Sequence, residues 1–269
     1  MELEIKISNW LEKQGYPLEM FATQKFKQQG FFVSQSLYYH DDELEKNREI
    51  DVIAHKVKFV EDSFITIDYI IECKSSHKPW LLFTNKRNQK DDSVNELERY
   101  LYSKDAFPLL LNLSTENKLK HLTPYYFGFE NIGYGLTQAF SNGNDMAYKA
   151  ITALTKCSLS LIKESETKVY QDRKLIIPIL VVDSPLFEVY LSTNYEMKIV
   201  KKEIAYLFIK NLIPDYQQIS IMILTKDYLE QFAISANKSV DWLFNYCVNN
   251  LTTILAEYQD IIKDISPDN

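Results

Sequence analysis

Two runs of alternating side chains, Glu49 to about Phe59 and Phe64 to Lys74, flank the acidic stretch Glu61-Asp62-Ser63. No other feature of the chain restricts its fold as much. Strand side chains alternate between faces with a period of two. In the second run, Ile65, Ile67, Tyr69, Ile71 and Cys73 therefore share one apolar face, and Glu72 and Lys74 project from the other. The connection is short, which predicts an antiparallel hairpin. An even loop, such as Glu61-Asp62 or Asp62-Ser63, puts Asp51 opposite Glu72 or Lys74 on the same face. Cross-strand neighbours have Cβ atoms about 4.5–5.5 Å apart, so two carboxylates and a lysine converge. Two ionised carboxylates ~4 Å apart repel by roughly 4 kcal/mol at an effective dielectric near 20. A proton or a cation relieves that cost. A hard divalent ion is the simplest relief, because Mg²⁺ takes one or two carboxylates and fills its shell with water and phosphate oxygens. Lys74 is then placed to orient or deprotonate a water and to stabilise charge on a phosphate. Glu49 shares the parity of Asp51. Asp51 is preferred for its shorter side chain and its place within Ile50-Asp51-Val52-Ile53. Asp68 lies four residues from Glu72, about 13 Å along a strand, and is expected at the surface or a sheet edge.

Around this hairpin the text alternates helix and strand signals. A first helical segment runs from about Leu3 to Lys13. A second begins at Pro17, carries Leu18, Phe21, Ala22, Lys25 and Phe26 at helical spacing, and meets Gly30 at a C-cap position. Phe31 to Tyr39 reads as a strand. After Pro79 the expected elements are a helix around Ser93 to Tyr102, an apolar stretch Leu109 to Leu113, and an aromatic loop from Tyr125 to Gly135. Asn142-Gly143-Asn144-Asp145 supplies a turn and an N-cap for a long helix to about Lys163. Leu175 to Val182 has the branching of a buried strand, with Pro178 arguing for a bulge or an edge. Leu186 to Leu191, Ile204 to Ile209 and Ile219 to Leu224 add strands. Helices around Asp227 to Phe232 and Val240 to Ile262 follow. The fold class is α/β, and with only six glycines and eight prolines no flexible linker divides the chain.

Asp51 among apolar neighbours, then a hairpin, then Ile70-Ile71-Glu72-Cys73-Lys74 resembles the PD-(D/E)XK, restriction-endonuclease-like nuclease superfamily. A helix with a further acid commonly precedes the hairpin in that family, and Glu19 matches that position. The resemblance covers Pro17 to about Lys78 and lacks a proline before Asp51. It implies a mixed sheet flanked by helices and Mg²⁺-dependent cleavage of phosphodiester bonds, with Mn²⁺ able to substitute. Asp51 and Glu72 become metal ligands, the Cys73 carbonyl a further one, Lys74 the catalytic lysine and Glu19 an accessory acid. The expected division is a nuclease-like core over 1–170, with its catalytic hairpin at about 49–74, and a C-terminal extension of strands and helices over 171–269 packed into the same unit.

The formal charge of −7 excludes a basic nucleic-acid-coating protein, so positive charge must be concentrated locally. Lys86, Arg87 and Lys90, near Trp80, are the expected nucleic-acid contacts. Lys149, Lys156 and Lys163 recur every seven residues on one helix face, a pattern that an ordinary solvated face also produces. DNA is the expected substrate, with restriction or defence as the setting implied by the family and a homodimer or a defence complex as partner. The alternative is a catalytically silent module that keeps the nuclease fold for binding or scaffolding. Three cysteines without a CxxC pair point to a reducing cytoplasm. Neither a leader nor an apolar run of ~18 residues is found, so no membrane association is expected. Gly133-Tyr134-Gly135 completes no phosphate-binding loop, and His40, His55, His77 and His121 have no ligand spacing.

Overall fold

Val60 pairs with Ser63, which closes the hairpin around the two-residue loop Glu61-Asp62. Glu61 takes the left-handed conformation, φ 51°, that so tight a reversal needs. The hairpin joins β2 (Lys46–Val60) to β3 (Ser63–Ser75). In the computed structural model, which describes residues 2–11, 14–41, 43–86, 96–124, 131–141, 146–213 and 216–265, the other strands are β1 (Phe32–Asp41), β4 (Trp80–Lys86), β5 (Leu101–Tyr102), β6 (Asn131–Gln138), β7 (Gln171–Asp183), β8 (Leu186–Leu191), β9 (Met197–Lys202), β10 (Ile204–Ile213) and β11 (Tyr216–Thr225). The helices are α1 (Glu2–Leu11), α2 (Tyr16–Gln28), α3 (Phe107–Thr115), α4 (Leu119–Leu122), α5 (Met146–Glu166) and α6 (Leu229–Ile265). Among the described residues, eleven strands form one mixed sheet in the order β1-β2-β3-β7-β11-β10-β6-β4-β8-β9, with β5 pairing β7.

Helices cover both faces. Leu18, Ala22 and Phe26 of α2 and Phe232, Ala233, Val240 and Leu243 of α6 pack with Val52, Ile67, Tyr69 and Ile71 in one layer. Ala147, Ala150, Leu154 and Cys157 of α5 pack on the other face with Tyr39, Ile50, Ile53 and Ile70. The sheet is covered on both sides where β3 meets β7, so both strands are buried almost throughout, and β7 is a continuous apolar run from Leu175 to Val182. Among the described residues no helix is long and apolar enough to cross a membrane.

Several elements depart from the sequence expectations. Pro178 marks neither an edge nor a bulge, since β7 runs parallel to β3 with Ile70 opposite Pro178 and lies at the centre of the sheet. The other side of β7 changes partner there, from β5 at Ile176 to β11 at Ile179. Ile177 and Pro178 fall between the two partners, where a missing N–H does least damage. The chain after 171 thus supplies the strand beside β3. The two expected C-terminal helices are one, α6, because no Pro or Gly interrupts the apolar spacing through Ala233, Ala236 and Val240. Leu109 to Leu113 belongs to α3, opened by Pro108 in its first turn. In place of a helix from Ser93 to Tyr102 there is a 3₁₀ turn at Glu96–Arg99 followed by β5, with 93–95 outside the described residues. The expected aromatic loop lies outside the described residues up to 130 and is β6 from Asn131 onward. A Cβ on Gly133 would meet Leu82 Cδ1 at 2.6 Å and the Tyr206 carbonyl at 2.8 Å, so that glycine serves close strand packing. The expected N-cap at 142–145 lies outside the described residues.

Candidate functional site

At Asp51 the ladder of β2 with β3 ends and its ladder with β1 is interrupted by one pair. Toward β1, the pairs run Gln35–Val52 and then Leu37–Ile50, skipping Ser36, whose φ of 52° is left-handed. Toward β3, the pairs end at Val52–Ile71, and the next residues along the two strands are Asp51 and Glu72. The core records the same break. Ile50 and Val52 would share a face in a regular strand, yet Ile50 packs under α5 and Val52 under α2. Instead of continuing the ladder, Asp51 Oδ2 accepts the main-chain N–H of Cys73 at 2.7 Å. Such a bond to a charged acceptor is worth about 1.5–3 kcal/mol and fixes the carboxylate beside the end of β3.

Glu72 is 6% exposed. One of its oxygens, Oε1, accepts from Lys74 Nζ at 2.5 Å. The other, Oε2, is buried without a hydrogen-bond partner among the described residues. Burial is the largest influence on this carboxyl and, with the charge of Asp51, pushes its pKa up to about 7 against the pull of Lys74. Burial likewise raises the Asp51 pKa, while Lys74 and the Cys73 N–H oppose it. Burial works to discharge Lys74, but Glu72 and Asp51 outweigh it and raise the ammonium pKa. The three groups form one electrostatic unit of two carboxyls and one ammonium.

Glu19 stands in the first turn of α2, after Pro17. Leu18 and Ala22 are buried against the sheet and Phe21 packs against the same layer. Burial raises the Glu19 pKa first, then Asp51 and Glu49, with Lys74 opposing, so its carboxylate lies within electrostatic reach of the hairpin acids. A Cβ on Gly15 would come within 3.1 Å of Glu19 Oε1, so the glycine leaves room for that carboxylate. Glu49 is exposed and adds its charge to the fields at Glu19 and Asp51. Tyr39, which no sequence signal marked, is 4% exposed, and its hydroxyl is buried without a hydrogen-bond partner among the described residues. Burial pushes the Tyr39 pKa up to about 12, with Cys157, Asp41 and, least of all, Glu72 adding to that rise and Arg48 opposing it.

Other expectations fare differently. Asp68 is not a surface group: it is 4% exposed and accepts from Lys174 Nζ at 2.6 Å. Cys73 is a buried core thiol whose pKa burial raises well above the ordinary value, and its N–H anchors Asp51. Lys156 is no part of an open basic stripe, since it is held by Asp41 at 2.9 Å and Glu43 at 2.6 Å, with Arg48 3.3 Å from the same Asp41. That cluster ties α5 to β1 and β2 below the site. Lys86 ends β4, which β7, β11, β10 and β6 separate from β3 in the sheet, and Arg87 and Lys90 lie outside the described residues.

Among the described residues no group of three or more His, Cys, Asp or Glu side chains is arranged to hold a metal ion. Asp51 and Glu72 offer two carboxylates, the number Mg²⁺ commonly takes from protein when substrate and water complete its shell. No protein-family model, curated protein or solved structure matches the chain.

Proposed function

We propose that the chain is a metal-dependent nuclease of the PD-(D/E)XK kind, with DNA as its substrate class. The observation that carries the reading is the Glu72 carboxylate: buried at the end of a central strand, bound to Lys74 through one oxygen, unpartnered at the other, and next to Asp51. A structural ion pair would satisfy both oxygens, because a buried unpaired acceptor costs about 1–3 kcal/mol. Further support comes from the mixed sheet flanked by helices and from the helix bearing Glu19 that precedes the hairpin and packs beneath it.

The residues fit a hard divalent cation. Asp51 and Glu72 would hold it, and the ion when bound would supply Lewis acidity toward the scissile phosphate. Lys74, raised in pKa and therefore charged at neutral pH, donates to the oxygen on which negative charge develops or orients the attacking water. The Cys73 N–H keeps Asp51 from rotating away. Glu19 completes the acidic rim. The silent-module alternative draws on the direct Lys74–Glu72 contact, which in such a protein would be permanent, and on the net charge of −7. Incubating DNA and RNA with the full chain and Mg²⁺ or Mn²⁺ tests the choice. The nuclease reading expects cleavage by the wild type that is lost in Glu72→Ala and Lys74→Ala. Absence of cleavage, together with absence of metal binding by the wild type, would establish the silent module.

A further inference from the structure

Edge strands carry a row of main-chain groups without a ladder partner, and proteins usually blunt them with bulges, flanking helices or lysines. The two edges of this sheet are β1 and β9. Strand β1 is blunted, since its ladder skips Ser36 and helices α2 and α5 both pack on it. The ladder of β9 with β8 is unbroken from Met197 to Lys202, and residues 197–201 are exposed on both faces. Met197 and Ile199 are 67% and 62% exposed, and Leu191, opposite Met197 on β8, is 63% exposed.

The hairpin turn fixes which main-chain groups of β9 look outward. The Ser192 N–H donates to the Glu196 carbonyl at 2.9 Å, so Glu196 faces β8. Hydrogen-bonded and non-hydrogen-bonded positions alternate along an antiparallel ladder. Met197, Ile199 and Lys201 therefore turn their N–H and C=O away from β8, to the open side. Lys198, Lys201 and Lys202 would ordinarily keep such an edge single. Whether they do depends on the strand that approaches. When a second copy of β9 continues the sheet, the twofold axis is perpendicular to it and paired residues share a face, so one residue must meet its own copy. An axis at Lys198, Lys201 or Lys202 sets that lysine against itself, and one at Val200 sets Lys198 against Lys202 twice. An axis at Met197 runs the ladder into Tyr195, which turns the chain with φ 61°. The axis at Ile199 pairs Met197 with Lys201, Lys198 with Val200 and Glu196 with Lys202. No lysine then meets a lysine, and each Glu196 meets a Lys202 that Glu188 of its own chain holds at 3.0 Å.

We propose that β9 pairs antiparallel with β9 of a second copy, centred on Ile199, and so joins two eleven-stranded sheets into one. Met197, Ile199 and Lys201 exchange main-chain hydrogen bonds with Lys201, Ile199 and Met197 of the other copy. On one face, Leu191, Met197 and Ile199 of both copies meet as one apolar stripe. So short a contact buries less than the roughly 1,200 Å² of a standard interface, so the dimer is reversible. Strand β9 lies seven strand gaps from β3, roughly 34 Å. The twofold also reverses the strand direction, so the carboxylate clusters of the two copies lie far apart, at opposite ends of the joined sheet. The inference does not rest on the nuclease reading.

Sedimentation equilibrium of the full chain, from micromolar concentration up to the limit of solubility, tests it. The wild-type mass rises with concentration from one chain toward two. Ile199→Pro removes an N–H that β8 does not use and sets a ring in the path of the second copy. It weakens the dimer about tenfold or more and leaves the circular dichroism spectrum unchanged. A charge exchange at two exposed positions tests the register and stands even if the proline variant unfolds. Met197→Lys brings like charges together at both Met197–Lys201 pairs and stays monomeric, as does Met197→Glu with Lys201→Glu. An equimolar mixture of those two variants restores the dimer, because opposite charges then meet at both pairs. A wild type that is monomeric at every concentration, a dimer undiminished in a folded Ile199→Pro, or a mixture that fails to associate overturns the proposal.

Discussion

Strand β3 carries two acid–lysine contacts on one face, and their surroundings differ. Asp68 meets Lys174 across strands at 2.6 Å, inside a network in which Asp172, Lys168 and Thr66 also have partners. Glu72 meets Lys74 on its own strand at 2.5 Å, yet its second oxygen has no partner among the described residues, and Asp51 draws on the same lysine. The first cluster balances two acids with two bases. The second has Glu72, Asp51 and Glu19 sharing one half-buried lysine. A balanced buried network gives shape and recognition; an unbalanced one holds carboxyl groups near the pH at which they exchange a proton for a cation. The local cause is the strand geometry. Around Asp68, β2, β3 and β7 are in continuous register, whereas at Asp51 strand β2 has parted from β3 and its ladder with β1 misses a pair.

Swapping the lysines' fates breaks or sharpens this contrast. We expect Lys74→Ala to lower the metal-dependent cleavage rate by about 10²–10⁴, the range for a positioned proton-transfer or charge-stabilising group. Its stability cost should be only about 1 kcal/mol, because Glu72 can take up a proton at neutral pH. The Mn²⁺ affinity should hold or rise, since a neighbouring positive charge has gone. Cleavage assays beside calorimetry and urea unfolding check all three; unchanged cleavage removes Lys74 from the mechanism. Lys174→Ala should do the reverse. It leaves Asp68 and Asp172 buried with one lysine between them, and we expect a loss of about 3–5 kcal/mol in unfolding free energy. Asp68→Asn with Lys174→Met should recover much of it. If Lys174→Ala unfolds no more easily than Lys74→Ala, the two clusters are not different in kind.

The hairpin was legible because its period of two, its acidic two-residue loop and its terminal Glu-Cys-Lys all lie within about 25 residues. Helices α2 and α5 were legible from apolar spacing. What escaped depended on partners distant in the chain. Nothing local distinguishes Asp68 from a surface acid, since its lysine comes 106 residues later. Pro178 suggested an edge or a bulge from its missing N–H, whereas it sits in a central strand opposite Ile70, because the switch from β5 to β11 on its other side is a property of the assembled sheet. Tyr39 reads as one of several strand aromatics until the packing of α5 buries its hydroxyl.

Acid–base linkage distinguishes the clusters next. The Glu72 pKa rises from 4.5 to about 7 on folding. A raised folded-state pKa contributes stability that is complete below about pH 4.5 and lost as the pH climbs through 7. Without a cation, Glu72→Gln should therefore gain on the wild type across that window, by roughly 3 kcal/mol at most. Divalent metal should close the gap by binding the wild-type carboxylate alone. Melting temperatures at pH 4.5, 6 and 8, with and without Mg²⁺, provide the check. A constant difference between the two proteins would mean that Glu72 is not strained by its burial.

The smallest effect concerns which cluster Glu19 serves. Gly15 has φ −69° and ψ −21°, a conformation open to any residue, so its lack of a side chain is not a backbone requirement. Gly15→Ala should then stabilise the fold by about 0.4–1 kcal/mol through the unfolded chain. The new methyl would sit 3.1 Å from Glu19 Oε1 and push that carboxylate aside by a few tenths of an ångström. If Glu19 belongs to the unbalanced acidic unit, cleavage falls a few-fold while stability rises. That pairing of signs is hard to obtain from a residue with a packing role alone. A Gly15→Ala protein that is more stable and cleaves at the wild-type rate would leave Asp51, Glu72 and Lys74 as the whole site, with Glu19 outside it.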